Sequence, residues 1–124
     1  MKEIMAVIRM NMMNRTKAEL TELGVDAFFA REAQGRGKGL VDTRLLEGAK
    51  SGFEEAAELL GEKGRLYPKR VLTVVVDDED VDPVVECIIK ANKTGKPGDG
   101  KIFVMPVSDA VRVRTAEKGL KAIS

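Results

Sequence analysis

Residues 94–115 read TGKPGDGKIFVMPVSDAVRVRT, and the organisation of the whole chain follows from them. Gly95, Gly98 and Gly100 leave a backbone that can bend closely around a ligand, and Asp99 and Lys101 put both charge signs at the bend. Ile102–Met105 is an apolar run that reads as a buried strand ended by Pro106. Val111 and Val113 then alternate with Arg112 and Arg114, the period of a strand with one apolar and one basic face. Two guanidinium forks and a lysine beside a glycine loop suit phosphate oxygens. An ordinary edge strand with solvated arginines next to a plain Gly-Asp-Gly turn would carry the same pattern, and the residues alone leave both readings open.

A Walker A loop is excluded. Gly95, Gly100 and Lys101 satisfy G-x4-G-K, but Ile102 follows where a Ser or Thr must hold magnesium. The context is also reversed: a Walker loop follows a strand and opens a helix, whereas this one follows a predicted helix and opens a strand.

The chain has 124 residues, one domain's worth, with 44% hydrophobic and 33% charged residues. A net charge of +1 makes no electrostatic case for nucleic acid or an anionic membrane. Aromatic residues are 4%, which argues against a base-stacking platform. One cysteine, Cys87, forbids an intramolecular disulfide. The lack of any histidine removes His-dependent metal sites and Ser-His or Cys-His nucleophiles. No signal peptide or membrane-spanning run is read, so a cytoplasmic protein is expected.

From the start, Lys2–Met10 reads as a buried strand. Asn14 is a candidate N-cap, with Thr16 and Glu19 as a capping box, for a helix that Gly24 stops. Met10, Met12 and Met13 read as flexible core filler. Val25–Ala33 is a second strand leading into Gln34-Gly35-Arg36-Gly37-Lys38-Gly39, either a second phosphate cradle or a solvated turn. Residues 40–67 form a long, glycine-punctuated connection in which 53–60 has helical spacing. Val71–Val76 is a third strand. The acids Asp77–Asp80 favour the positive end of the next helix, with Asp82 as N-cap and Pro83 at its first position. Val84, Val85, Ile88, Ile89 and Asn92 make a helical face, Cys87 is a small core residue, and Gly95 ends the helix. The order is βαββαβ, so we expect an α+β, ferredoxin-like sandwich whose sheet is covered by helices on one face only.

The stretch T-G-x-x-G-D-G-K-I-F-V-x-P-V followed by V-R-V-R-T resembles the signature of the PII signal-transduction family, nearly unbroken over the C-terminal third. The resemblance implies a trimeric sensor rather than an enzyme, one domain over 1–124, with ATP or ADP, Mg²⁺ and 2-oxoglutarate as effectors in sites between neighbouring subunits. It implies that Gly98, Asp99, Gly100 and Lys101 meet nucleotide phosphates from one subunit, that Arg112 and Arg114 reach them from the next, and that Val75 lies by the adenine. Thr73 and Phe29 stand where many relatives carry a Glu and a Thr. Gly35, Arg36, Gly37 and Lys38 match the family's G-x-G-R-Q-K-G stretch in one of two registers, and in both the family's magnesium-holding glutamine is absent, with Gln34 displaced nearby. Gly37, Gly39 and Lys69 would serve 2-oxoglutarate, Lys69 pairing with its distal carboxylate. Residues 34–68 correspond to an extended T-loop, the arm that touches partners. Tyr67 sits at its end rather than its tip, so no nucleotidylation is expected.

The M-K-E-I start, R-M-N in place of K-P-F and the short G-R-G-K-G look like the family's nitrogen-fixation branch, in which paired PII-like paralogues bind nitrogenase; this chain resembles the second of the pair. The implied partners are nitrogenase and the PII-like paralogue, in a homotrimer or hetero-oligomer. Another target, an ammonium transporter or a nitrogen-assimilation enzyme, is the alternative. A phosphoryl-transfer enzyme would need a base beside the loops, and only Asp99 and Glu32 offer one. A trimeric scaffold that binds no nucleotide is the third class.

Overall fold

The computed structural model describes residues 1–37 and 66–124. Strand β1 (Lys2–Arg9) leads through a 3-10 turn (Met10–Met12) into helix α1 (Met13–Leu23). Strands β2 (Phe29–Gly35) and β3 (Tyr67–Val76) follow. A second 3-10 turn (Asp78–Asp80) opens helix α2 (Val81–Asn92), and strand β4 (Lys101–Pro106) and short helix α3 (Leu120–Ile123) complete the chain. The strands form one antiparallel sheet in the order β2-β3-β1-β4, the ferredoxin-like arrangement the element order implies. Among the described residues no helix is long and apolar enough to cross a membrane.

Strand alternation sorts the side chains cleanly. Ile4, Ala6 and Ile8 of β1 and Leu72, Val74 and Val76 of β3 are buried under the helices, meeting Met13 and Leu20 of α1 and Val84 and Ile88 of α2. The register pairs Met5 with Thr73 and Phe103, Val7 with Val71 and Lys101, Arg9 with Lys69, and Phe29 with Thr73. These residues therefore share the opposite face, which no helix of the described chain covers. Phe29 is 73% and Phe103 45% exposed there, an apolar surface on a folded chain's own sheet.

Helix α1 stops as expected. Gly24 takes φ +98°, its N–H reaches the Thr21 carbonyl, and the Val25 N–H reaches that of Leu20, the two bonds of a Schellman end. Its start differs from the expected Asn14 cap and Thr16–Glu19 box. The helix begins at Met13, Asn14 lies inside its first turn, and the Thr16 hydroxyl donates back to the Met12 carbonyl at 2.7 Å. Thr16 is fully buried, because its oxygen also accepts the amide of buried Asn92 at 2.9 Å. A residue tied into the α1–α2 interface cannot serve as a surface cap. Met13 joins the core as filler, while Met10 stays 47% exposed.

Strand β2 runs Phe29–Gly35 rather than Val25–Ala33, since Val25 and Phe28 turn inward to pack on the core before the ladder begins. Pairs Gln34–Pro68 and Gly35–Tyr67 carry β2 and β3 into both ends of the 34–68 stretch. Helix α2 likewise starts before the expected Asp82 cap, and Pro83 falls third in its first turn, where a missing N–H costs nothing. The acidic run does more than face the helix end. Asp78 takes the Met1 ammonium at 3.1 Å and Lys2 Nζ at 3.2 Å, which hold its carboxyl below the usual value. The helix ends at Asn92, not Gly95, because Asp99 recruits the Thr94 and Gly95 N–H groups. Cys87 is partly buried against the core, and burial pushes its thiol up.

The largest correction concerns Val111–Arg114. These residues are not a strand. A single bridge joins Val111 to Lys118 across a tight turn in which Ala116 takes φ +61°, and Val113 is 99% exposed. The backbone pairs with itself, Arg112 N–H to the Glu117 carbonyl and Ala116 N–H to that of Arg112, both at 2.8 Å. Alternation alone makes a strand only where a partner edge accepts its ladder.

Candidate functional site

One corner of the open face gathers most of the candidate residues. β1 and β2 end there, and β3 and β4 begin there. Lys69 lies directly opposite Arg9, and Lys101, opposite Val7, is Arg9's diagonal neighbour on the same face. Gly35, opposite Tyr67, closes the β2 side, and Arg36 and Gly37 follow it, exposed. Lys38 and Gly39 lie outside the described residues.

The glycine loop is drawn across this corner by the end of β1. Arg9 Nη1 donates to Asp99 Oδ1 at 2.6 Å, and Nη2 donates to the Pro97 carbonyl at 3.0 Å. Asp99 Oδ2 accepts the Thr94 and Gly95 N–H groups at 2.8 and 3.0 Å, and its Oδ1 takes the Thr94 hydroxyl at 2.5 Å. These bonds, the Thr94 hydroxyl foremost, hold the Asp99 carboxyl far below the usual range, so it is ionised throughout the working pH range. Its oxygens are already engaged within the protein: Asp99 shapes the loop.

The glycines answer first to β1. A Cβ at Gly100 (φ +114°) would lie 2.0 Å from the Val7 carbonyl oxygen, and one at Gly98 (φ +98°) would lie 3.2 Å from Arg9 Nη2. Lys69 Nζ reaches toward the Gly98 carbonyl at 3.4 Å. Burial and then the neighbouring Arg9 charge lower its pKa. Among the described residues Arg9, Lys69 and Lys101 thus share this corner with one carboxylate, Asp99, an excess of positive charge at a bent backbone that suits an anion.

Val75 lies elsewhere. It is six positions along β3 from Lys69, about 20 Å at a strand's rise. It lines a cleft of about 530 Å³ with Gly24, Ala27 and Asp77 and, from the C-terminal end, Leu120 and Ile123. Phe29 and Thr73, paired across β2 and β3, border a smaller hollow of about 230 Å³ between this cleft and the cationic corner. Arg112 is turned to its own segment, with Nη1 on Glu117 Oε1 at 3.1 Å and Nη2 on the Lys121 and Ser124 carbonyls at 2.9 and 2.6 Å. Arg114 has no hydrogen bond among the described residues.

Register places the Gln34 side chain opposite Pro68, on the face away from Lys69 and Lys101, so a magnesium ion shared by Gln34 and that corner has no support. Among the described residues no group of three or more His, Cys, Asp or Glu side chains is placed to hold a metal ion. The residue that sequence reasoning missed is Arg9. It stands in the R-M-N triplet noted above, but nothing local marks it, because its partners lie about ninety positions away.

A ferredoxin-like sheet with one face bare of helices among the described residues, and a braced, cation-rich glycine loop at its corner, are the features that place the chain in a class of small α+β proteins. The sequence model of the family described as Nitrogen regulatory protein P-II matches residues 1–117, and the chain belongs to the PII family. It is 48% identical to "Nitrogen fixation nifHD region GlnB-like protein 2" of Methanobacterium ivanovii over 99% of both chains. The Methanococcus maripaludis protein of the same name is also 48% identical, over 99% of this chain and 100% of that one. "Nitrogen regulatory protein P-II" of Azospirillum brasilense is 39% identical over 99% and 100%. Among solved structures, Arabidopsis thaliana PII bound to citrate matches with a TM-score of 0.74 and 27% identity, covering 99% of this chain and 89% of that one.

Proposed function

We propose that this PII-family chain binds ATP or ADP, and 2-oxoglutarate, in clefts between subunits of a trimer, and controls nitrogenase by contact through the 34–68 arm. The observation that carries the reading is the cationic corner. Lys69 and Lys101 converge where Gly98–Lys101 bends, and among the described residues the one carboxylate there, Asp99, is already held by Arg9. Gly98, Gly100 and Lys101 would take the phosphates through backbone N–H groups and a point charge. Arg112 and Arg114, on a turn that leaves Val113 exposed, would reach the phosphates of a neighbouring subunit. Val75, about 20 Å from Lys69, would receive the adenine at the other end of the open face. Lys69, with Gly37 and Gly39 of the loop after β2, would hold a dicarboxylate. The Arabidopsis structure is a PII protein bound to citrate, a molecule that shares the carboxylate chemistry.

Magnesium fits here only as a companion of the nucleotide, neutralising phosphate charge, since the described residues offer no cage of their own. Most of the contacting arm, residues 38–65, lies outside the described residues. A ligand steers such an arm only by binding its states unequally. Relatives named for the nitrogen-fixation nifHD region favour nitrogenase as the target.

Calorimetry with ATP, ADP and 2-oxoglutarate, with and without Mg²⁺, tests the effectors. A pull-down from nitrogen-fixing extract tests the target. Nitrogenase retained without effectors and released by ATP with 2-oxoglutarate is the expected result. An absence of nucleotide binding overturns the reading, and capture of an ammonium transporter or an assimilation enzyme instead overturns the target.

A further inference from the structure

We propose that Arg9 is the positioning residue of the phosphate loop: its guanidinium fork fixes the curve of residues 94–101 before any phosphate arrives. The inference rests on the nucleotide reading above and deepens it.

One side chain contacts three consecutive loop residues. Nη1 holds Asp99, Nη2 holds the Pro97 carbonyl, and the same Nη2 lies 3.2 Å from where Gly98 would carry a Cβ. Asp99 passes the constraint backward, since its carboxylate gathers the Thr94 and Gly95 N–H groups and the Thr94 hydroxyl. The loop from Thr94 to Asp99 is therefore closed by one carboxylate, and that carboxylate is held from β1. β1 is a central strand, paired on both edges, so the loop takes its position from a well-supported part of the sheet. The segment contains Gly95, Gly98 and Gly100, all at positive φ, and would otherwise lose much conformational freedom on closing around a ligand. The brace shifts that ordering into folding.

Arg9 acts through the loop rather than on the ligand. Both terminal nitrogens are committed inside the protein, and the side chain is 27% exposed. A lysine, with a single ammonium, lacks the planar fork that spans a carboxylate and a backbone carbonyl at once.

The test uses the full chain with Arg9→Lys, Asp99→Asn and the double variant. Calorimetry with ATP, ADP and AMP is combined with hydrogen exchange on the free proteins and a melting curve for each. Each single variant is expected to weaken ATP at least fivefold, with the loss shrinking from ATP to AMP. The double variant should lose no more than the worse single one, and exchange should rise across residues 94–101 while β1 and α2 keep their protection. Asp99→Asn keeps the test decisive should Arg9→Lys fail to fold. ATP affinity within twofold of wild type in a folded variant overturns the inference and leaves the nucleotide reading standing. Equal losses for ATP and AMP, or additive losses in the double variant, also overturn it, the latter by making Arg9 a direct phosphate contact. A wild-type chain that binds none of the three nucleotides overturns the nucleotide reading and this inference together.

Discussion

Gly100 passes so close to Val7 that a single added carbon would sit 2.0 Å from the Val7 carbonyl oxygen. β4 can begin beside β1 only because that carbon is missing, and φ +114° at the same residue excludes L side chains a second time. Gly100→Ala is therefore expected to lose about 3 kcal/mol of folding stability or more, from overpacking and backbone strain combined. Urea unfolding measures it; a loss under about 1 kcal/mol would mean that β4 shifts freely.

The two arginines of the terminal turn should behave differently. Arg112 is tied to Glu117 and two backbone carbonyls, whereas Arg114 has no hydrogen bond among the described residues. Arg114→Ala is expected to weaken ATP at least tenfold with an unchanged Tm. Arg112→Ala should weaken ATP similarly and also cost about 1 kcal/mol of stability. Calorimetry and thermal melts of the two variants separate these effects, and unchanged ATP affinity in both would remove them from the site.

Thr16 and Asn92 form the polar node between the helices. Asn92 donates at 2.9 Å to both the Thr16 hydroxyl and the Ile88 carbonyl, while its Oδ1 is buried with no partner among the described residues. Thr16→Val should cost about 1–2 kcal/mol, because it strips an acceptor from a buried donor. The Thr16→Val, Asn92→Leu double variant should cost less than the sum of the singles, since both ends of the bond are then gone. Strict additivity in chemical denaturation would show that the pair does not act as a unit.

Acid should open the glycine loop late. Asp99 has a folded pKa held below its unfolded value, so its contribution to stability is full above the ordinary carboxylate pKa of about 4 and disappears as pH falls through the lower folded value. The stability gap between wild type and Asp99→Asn should therefore be constant from neutral pH down to that range and shrink only below it. A gap that closes while ordinary carboxylates are still ionised would contradict the bonding at Asp99.

Lys69 carries the opposite trade. Burial and Arg9 disfavour its charged form in the fold, so stability should rise as pH climbs through its lowered folded value toward the ordinary lysine value. Lys69→Met should melt at or above the wild-type temperature near neutral pH and yet bind 2-oxoglutarate at least tenfold more weakly. A lower Tm with intact effector binding would make Lys69 a structural cation.

Much of this protein was written locally. The apolar run within Lys2–Met10, the β-branched run of Val71–Val76, the Gly24 stop and the Gly-Asp-Gly-Lys bend each depend on neighbours a few positions away, so most element types and their order were legible. Lys101 was equally legible as a candidate cation, because it sits in its own glycine loop, whereas Lys69 came from the family resemblance.

Tertiary structure decided the rest, through contacts between distant residues. Val111–Arg114 had the period of a strand but no edge to pair with, and it closed on itself. Thr16 had the spacing of a cap but was claimed by Asn92, 76 positions away. The glycines of the bend looked made for a ligand, yet two of them are shaped by Val7 and Arg9. Periodicity and spacing report what a segment can form alone. Which partner it meets depends on how the sheet brings chain ends together, and the brace between Arg9 and Asp99 exists only once β1 and β4 lie side by side.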